Sequence, residues 1–447
     1  MDAGGMTPRR GWRLLLCLVA AFAVLVVTAC GDDDDDDGSA GGGGTTAPAE
    51  TQPSDTGTST NAGSEPITDF ASYVGGKGGK ASGTPIPIGW INNDGSAQGP
   101  IPEATRVAKA TADYINTELG GIDGHPIKLV TCFIAAAEEE GQKCGQRFAN
   151  NSDLKVVNVG VMIIGNESYH AQIKGQKVTV FGVANAPADL TAQNSFALNG
   201  STEYVLGPFG TYVRDKLHAK TGAMVFNQAP GVISIAQAAK KGIESAGIKV
   251  KSVGFDPQTT DLVGPVTAAG SQTADVLLPV TDTAACINYA KALKSAGLTS
   301  KPVVSAPLCL APPVAKALGD LPQWTYGIAQ ELPTDLSNPT VKAYSDAVVK
   351  YGAKPEDAGN VFSALAFADL LATAKIMNKT GADASADDIG AAFKAFKGPV
   401  IMGPPNLQCG KYPKAPAVCN DQSQFYDYKG KGKFEKVADW LRPPTAG

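Results

Sequence analysis

Between Ile86 and Cys132 the chain reads IPIGWINNDGSAQGPIPEATRVAKATADYINTELGGIDGHPIKLVTC. This stretch predicts a buried strand, a small polar loop, an amphipathic helix with a glycine stop, and a second strand, which together make one βαβ unit. Ile86, Ile88, Trp90 and Ile91 form a short apolar run between Pro85 and the turn cluster Asn92 to Gly95, as in a strand covered on both faces. Pro102 suits the first helical position and Glu103 complements the helix dipole. Ala104, Val107, Ala108, Thr111, Ile115 and Leu119 then recur at helical spacing until Gly120 and Gly121 end the run. Ile127, Leu129 and Val130 predict the returning strand. In open α/β sheets the ligand crevice lies at the carboxyl ends of the strands, so the loop Asn92 to Gly99 is the first place to look for a site.

The N-terminus imposes a second constraint. Arg9, Arg10 and Arg13 precede an apolar run from Leu14 to Val27 that ends in VTAC at Cys30. The run is shorter than the roughly 20 residues of a spanning helix, and a small residue precedes the cysteine, so residues 1–29 read as a lipoprotein signal peptide and Cys30 as the lipidation site. Two acyl chains there would anchor the chain to the membrane surface. Residues 30–83 contain the run Asp32 to Asp37, the run Gly41 to Gly44 and many Thr, Ser and Pro, and they predict a disordered tether. The aspartate run lacks the spaced ligands and turn glycine of a calcium loop.

Residues 84–447 are too many for one small core and suit two lobes. With 38 basic against 43 acidic side chains and no basic stripe carrying aromatics, nothing points to nucleic acid. Six cysteines remain in this part, an even number in an exported chain, and neighbour pairing is expected: Cys132 with Cys144, Cys286 with Cys309, and Cys409 with Cys419. No two of them have the tight spacing of a zinc site, and His125, His170 and His218 are scattered, so no metal or cofactor is expected.

Short apolar runs alternate with polar helices through two successive series, which predicts parallel sheets with right-handed crossovers. The order of strand, small polar loop, long helix, GGI turn and strand ending in Cys132 resembles the branched-chain amino-acid type of periplasmic substrate-binding protein, the receptor of an ABC importer. The resemblance covers residues 84–447. It implies an α/β, two-lobed type I periplasmic-binding-protein fold, each lobe a mainly parallel sheet flanked by helices, joined by a multi-crossing hinge. The expected division is lobe 1 at 84–201, lobe 2 at 202–328, lobe 1 again at 329–403, and a return crossing with closing strands at 404–447, mainly in lobe 2.

In the resembled family, loops after the lobe 1 strands supply hydroxyls and amides to a ligand carboxylate. That implies Ser96 and Gln98 in the first loop, Asn166 and Ser168 in the next, and Ala184 and Asn185 after the following strand. The stretch GVANAPADLT has no hydroxyl at Ala186, and each of these positions also reads as an ordinary turn. In lobe 2, Gln228 follows a strand, and Asp282 is the acid placed to receive an ammonium. Asp282 also reads as the N-cap of the helix carrying Cys286. After PVVSAP, where the family commonly has an acidic residue, this chain has Ser305, Ala306, Pro307 and Leu308.

No nucleophile elbow, phosphate loop, zinc-protease motif or dinucleotide fingerprint occurs, so no enzyme is expected. The expectation is a monomeric, lipid-anchored, extracytoplasmic binding protein. It would capture a small polar solute, an amino acid or related compound first, and deliver it to ABC permease subunits. A sensing module of the same fold and a non-transport secreted lipoprotein are the alternatives.

Overall fold

A computed structural model describes residues 65–95 and 100–444 of the chain. The expected signal peptide, the expected lipidation site Cys30 and most of the expected tether lie outside the described residues, as do Ser96 and Gln98. Helix α1, Phe70–Val74, opens the described part, capped by Asp69, whose carboxylate accepts from the Ser72 amide. The tether was expected to run to residue 83, and here the structure corrects it. Phe70, Tyr73 and Val74 are buried, with the Phe70 ring 5.2 Å from that of Phe367, and residues 79–81 bond to the end of the next helix. Three apolar residues among glycines and serines carry little local signal, because their burial depends on partners far along the chain.

The first lobe then alternates strand and helix: β1 Ile86–Asn93, α2 Pro102–Thr117, β2 Ile127–Ile134, α3 Glu138–Ala149, β3 Val156–Val159, α4 Asn166–Ile173, β4 Val178–Phe181, α5 Pro187–Thr191 and β5 Ser195–Ala197. The strands form one parallel sheet in the order β2-β1-β3-β4-β5. Every carboxyl end therefore lies along the same edge. Gly121 sits at φ 70°, and a Cβ there would lie 2.1 Å from the His125 carbonyl oxygen, so only glycine admits the tight return from α2 into β2.

The second lobe follows with α6 Thr202–Asp215, β6 Thr221–Asn227, α7 Pro230–Glu244, β7 Lys249–Phe255, α8 Val263–Ala268, β8 Val276–Val280, α9 Thr283–Ser295, β9 Val304–Ser305, a 3-10 turn at Pro307–Leu310, α10 Pro312–Leu318 and β10 Thr325–Ile328. Helix α6 runs through Pro208, which has no backbone N–H to give to the helix ladder. Residues 325–328 form β10, at the end of the span 202–328 expected for lobe 2. The order β7-β6-β8 is parallel, and a bridge between Leu277 and Val303 joins it to β9 and β10.

The chain next returns to the first lobe with α11 Pro339–Lys350, α12 Pro355–Ala358, α13 Val361–Thr380 and α14 Ala386–Lys394. Tyr344, Phe367, Leu371 and Phe393 share one core with Ile88, Trp90 and Val107. Helix α13 is long and apolar enough to cross a membrane, but it is almost wholly buried here as a core helix. The hairpin β11 Ser423–Gly430 and β12 Lys433–Leu441 then pairs antiparallel with β10 and completes the second sheet. All three expected disulfides are present, Cys132–Cys144, Cys286–Cys309 and Cys409–Cys419.

Candidate functional site

The carboxyl end of the first sheet is built around Asn92. Its amide nitrogen donates to the Ile101 carbonyl (2.7 Å) and the Thr105 hydroxyl (2.9 Å), and its oxygen accepts from the Val161 amide (3.1 Å). One buried side chain thus fixes the β1 loop to α2 and to the loop after β3. Asn93, next along, is buried, and neither its side-chain nitrogen nor its oxygen has a hydrogen-bond partner.

Two carboxylates organise the neighbouring loops. Glu138, heading α3, accepts from the Gly165 amide (2.8 Å), the Ser168 amide (2.9 Å) and the Ser168 hydroxyl (2.8 Å). Those are orphan donors of the first turn of α4, which a carboxylate satisfies well. These bonds hold the Glu138 carboxyl below its usual range, against the opposing pull of desolvation. Asp189, fully buried, accepts from the amides of Asn185 (3.1 Å) and Ala186 (3.0 Å) and from the Asn166 side chain (2.8 Å), and it pairs with the His170 ring at 3.0 Å. The Ala184 amide donates to the Gly200 carbonyl, and the Ala184 carbonyl accepts from Thr202.

In the second lobe the matching edge carries Asn227, Asp282 and the turn after β9. Asp282 caps α9 through the Ala285 amide (2.8 Å) and accepts from the Asn227 side chain with its other oxygen (2.6 Å). Asn227 in turn accepts from the Ala229 amide (2.8 Å). The Cys286–Cys309 disulfide ties the first turn of α9 to the 3-10 turn, so the loops after β8 and β9 are held as one piece. Gln228 is exposed, and its stem packs where Gly254 has no side chain.

The sequence profile of the periplasmic binding protein family matches residues 85–411. The chain belongs to that family. Three solved structures show the same fold across this periplasmic binding protein. A leucine-binding protein LivK from Thermotoga maritima is 12% identical with a TM-score of 0.63, covering 80% of this chain and 99% of its own. A solute-binding protein from R. palustris in complex with 4-hydroxybenzoate is 15% identical with a TM-score of 0.64, covering 80% and 98%. A fatty acid ABC transporter substrate-binding protein from Thermomonospora curvata is 15% identical with a TM-score of 0.63, covering 83% and 96%. No curated protein sequence matches the chain.

The structure brings Asn166, Ser168, Ala184 and Asn185 of this periplasmic binding protein to the first sheet's carboxyl edge, and Gln228 and Asp282 to the second's. It also gives most of them internal work. Asn166 binds Asp189, Ser168 binds Glu138, the Ala184 backbone is bonded on both sides, and Asp282 is shared by a helix cap and Asn227. Asn185 and Gln228 are the two with exposed side chains. Sequence reasoning missed Asn92, Glu138, Asp189 and Thr202. Asp189 could have been found, since it stands three residues after Ala186 at the capping-box position before a helical run. Among the described residues no cluster of His, Cys, Asp and Glu is arranged to hold a metal ion.

Proposed function

We propose that the chain is a lipid-anchored solute receptor that closes its two lobes, near the divisions at residues 201, 328 and 403, over a small organic molecule and presents it to an ABC permease. The observation that carries this reading is the family match across residues 85–411, over two successive series of parallel strands and helices. Cys30 would carry the acyl chains, and the chain would act as a monomer. Solute first meets one lobe, and contacts from the other then favour the closed form in proportion to the difference in affinity between the two forms. Anchoring keeps the receptor near its permease and raises the effective concentration. Ser96, Gln98, Asn185 and Gln228 are the proposed direct contacts, with Asn166, Ser168, Ala184 and Asp282 shaping the loops behind them. An amino acid is the first solute to try. The neighbouring structures bear names and ligands from leucine to 4-hydroxybenzoate and fatty acid, which widens the panel.

Thermal unfolding of the secreted chain against such a panel tests the reading, because a ligand at 100 times its Kd adds about 2.7 kcal/mol of stability. Saturable stabilisation by a panel member supports it, and a folded protein that no solute stabilises rejects it. Cys30→Ala should release the chain from the membrane fraction without changing that response.

A further inference from the structure

We infer that Tyr204 and Tyr412 form a latch across the hinge, a ring contact that sets the angle between the two lobes before any solute arrives. This role rests on the proposed closure of the lobes over a solute. Cys409 to Cys419 reads CGKYPKAPAVC, a stretch with two prolines that its own disulfide closes. Each proline fixes its φ, so the loop is stiff. Its return limb is pinned to the edge of the first sheet. The Ala197 amide, at the end of β5, donates to the Ala417 carbonyl (2.8 Å), the Cys419 amide donates back to the Ala197 carbonyl (3.1 Å), and the Ala417 amide donates to the Leu190 carbonyl (3.1 Å). Leu407, Cys409 and Cys419 are buried in the core that holds Trp90 and Phe367. Tyr412 therefore moves with the first lobe.

Tyr204 moves with the second. It stands in the first turn of α6, three residues past Ser201, where the chain leaves the first lobe. Farther along α6, the Phe209 and Tyr212 rings lie 5.1 and 4.3 Å from that of Phe425 on β11, and the Ser423 hydroxyl donates to the Val205 carbonyl at 2.8 Å. The Tyr204 and Tyr412 rings meet with centres 4.3 Å apart and planes 47° from parallel. The Tyr412 hydroxyl also donates to Asp421, which is buried where the chain crosses back toward β11. The Lys411 amine pairs with the other Asp421 oxygen at 2.7 Å, out of line for a hydrogen bond, and Arg442, just past β12, approaches it to 3.9 Å. One carboxylate thus gathers a hydroxyl and an amine from the first lobe and a guanidinium from the second.

The two crossings beside this cluster have no slack. A Cβ on Gly200 would lie 2.4 Å from the Asn420 carbonyl oxygen, and the Asn420 side chain donates to the Asn199 carbonyl at 3.3 Å, so the backbones pass in direct contact. Each ring is anchored to its own lobe, one by a disulfide-closed loop and the other by a helix. Rotation about the crossings must therefore separate the pair or slide one ring over the other. Packed contacts of this kind hold discrete arrangements rather than yielding smoothly. An aromatic pair at this spacing changes the ratio of two arrangements about twofold to tenfold. Neither tyrosine is among the proposed solute contacts, so the latch biases closure and not recognition.

The test measures, by electron paramagnetic resonance on the full secreted chain without solute, the distance between nitroxide labels at Lys109→Cys on α2 and Lys291→Cys on α9. Both are exposed positions, one on each lobe. Tyr412→Ala and Tyr204→Ala should each move weight away from the parent's interlobe distance, changing the ratio of arrangements about twofold to tenfold, and the double variant should move it no further. Tyr412→Phe, which keeps the ring and loses the bond to Asp421, should shift it less. A folded Tyr412→Ala with the parent's distance distribution overturns the latch, and if that variant does not fold, Tyr204→Ala breaks the same contact from the other lobe and decides. Additive shifts in the double variant overturn it as well, since the two rings would then act apart. Neither result touches the solute receptor, which the thermal panel tests on the parent. A distance that no variant and no panel solute moves counts against both.

Discussion

Asp369 offers the sharpest test of how the first lobe is held together. It lies on α13, fully buried against Gly182 at the end of β4, and neither carboxyl oxygen has a hydrogen-bond partner. Lys375, the nearby cation on the same helix, places its amine 4.0 Å from the centre of the Tyr73 ring instead. Burial therefore pushes the Asp369 carboxyl well above its ordinary pKa. A raised acid binds its proton more tightly in the folded chain than in the unfolded one. Its contribution is thus fully present below the unfolded pKa of about 4 and is lost as the pH rises toward and through the folded value. Each pH unit in that window changes stability by at most about 1.4 kcal/mol, which sets a ceiling of roughly 4 kcal/mol between pH 4 and pH 7. Asp369→Asn keeps the shape and removes the titration, but it leaves an unpartnered amide costing about 1–3 kcal/mol. The variant should therefore be about 1–2 kcal/mol more stable than the parent at pH 7.5 and gain nothing at pH 4. Urea unfolding of both proteins at the two pH values measures this directly. An unchanged gap between the two pH values, or a less stable variant at pH 7.5, would refute the account of a protonated, partnerless carboxyl.

Two further outcomes follow from the same kind of reasoning. Arg106 clasps Asp357 through two bonds, Nε to Oδ2 at 2.9 Å and a terminal nitrogen to Oδ1 at 2.5 Å, and holds that carboxyl below its usual range. Because a lowered acid stabilises above its unfolded pKa and stops doing so as the pH falls through the folded one, Arg106→Met should cost about 1–2 kcal/mol at pH 7 and little near pH 2.5, the half-exposed guanidinium being discounted for solvent. Replacing Cys286 and Cys309 together by serine opens a loop of 23 residues, which should lower stability by about 3 kcal/mol in urea, and reductant, which opens the other two disulfides as well, should lower the parent's stability by more.

The βαβ frame was legible because its signals are local. A run such as Ile86 to Ile91, a Pro102 start and a Gly121 stop each act within a few residues, and the parallel order follows from how such units pack. The disulfides were legible for a related reason. Cys132 lies near the end of a strand and Cys144 on the helix that follows it, so a neighbour in sequence is also a neighbour in space. Helix α1 was not legible, since its apolar residues are few and the rings that bury them, Tyr114 and Phe367, lie elsewhere in the chain. The short β5 and the run of α6 through Pro208 are likewise set by tertiary pairing rather than by propensity.

The candidate site divides along the same line. Its place was legible, since strand ends fix where a crevice opens, but the state of its polar groups was not. Ser168 reads as a free hydroxyl until Glu138, thirty residues earlier, is seen to hold it, and Asp282, legible as a helix cap, reads as having its other oxygen free until Asn227 is found on the neighbouring strand. A helix starting at a strand's end always brings orphan amides to the crevice, and these must be met by a ligand or by the chain itself. Here Glu138, Asp189 and Asp282 meet those of α4, α5 and α9. What such a crevice can still recognise is set by the side chains that the caps leave over; Gln228 is exposed at the second edge, while the Asn185 amide at the first is itself bonded to the Met162 and Val183 carbonyls and the Thr202 hydroxyl.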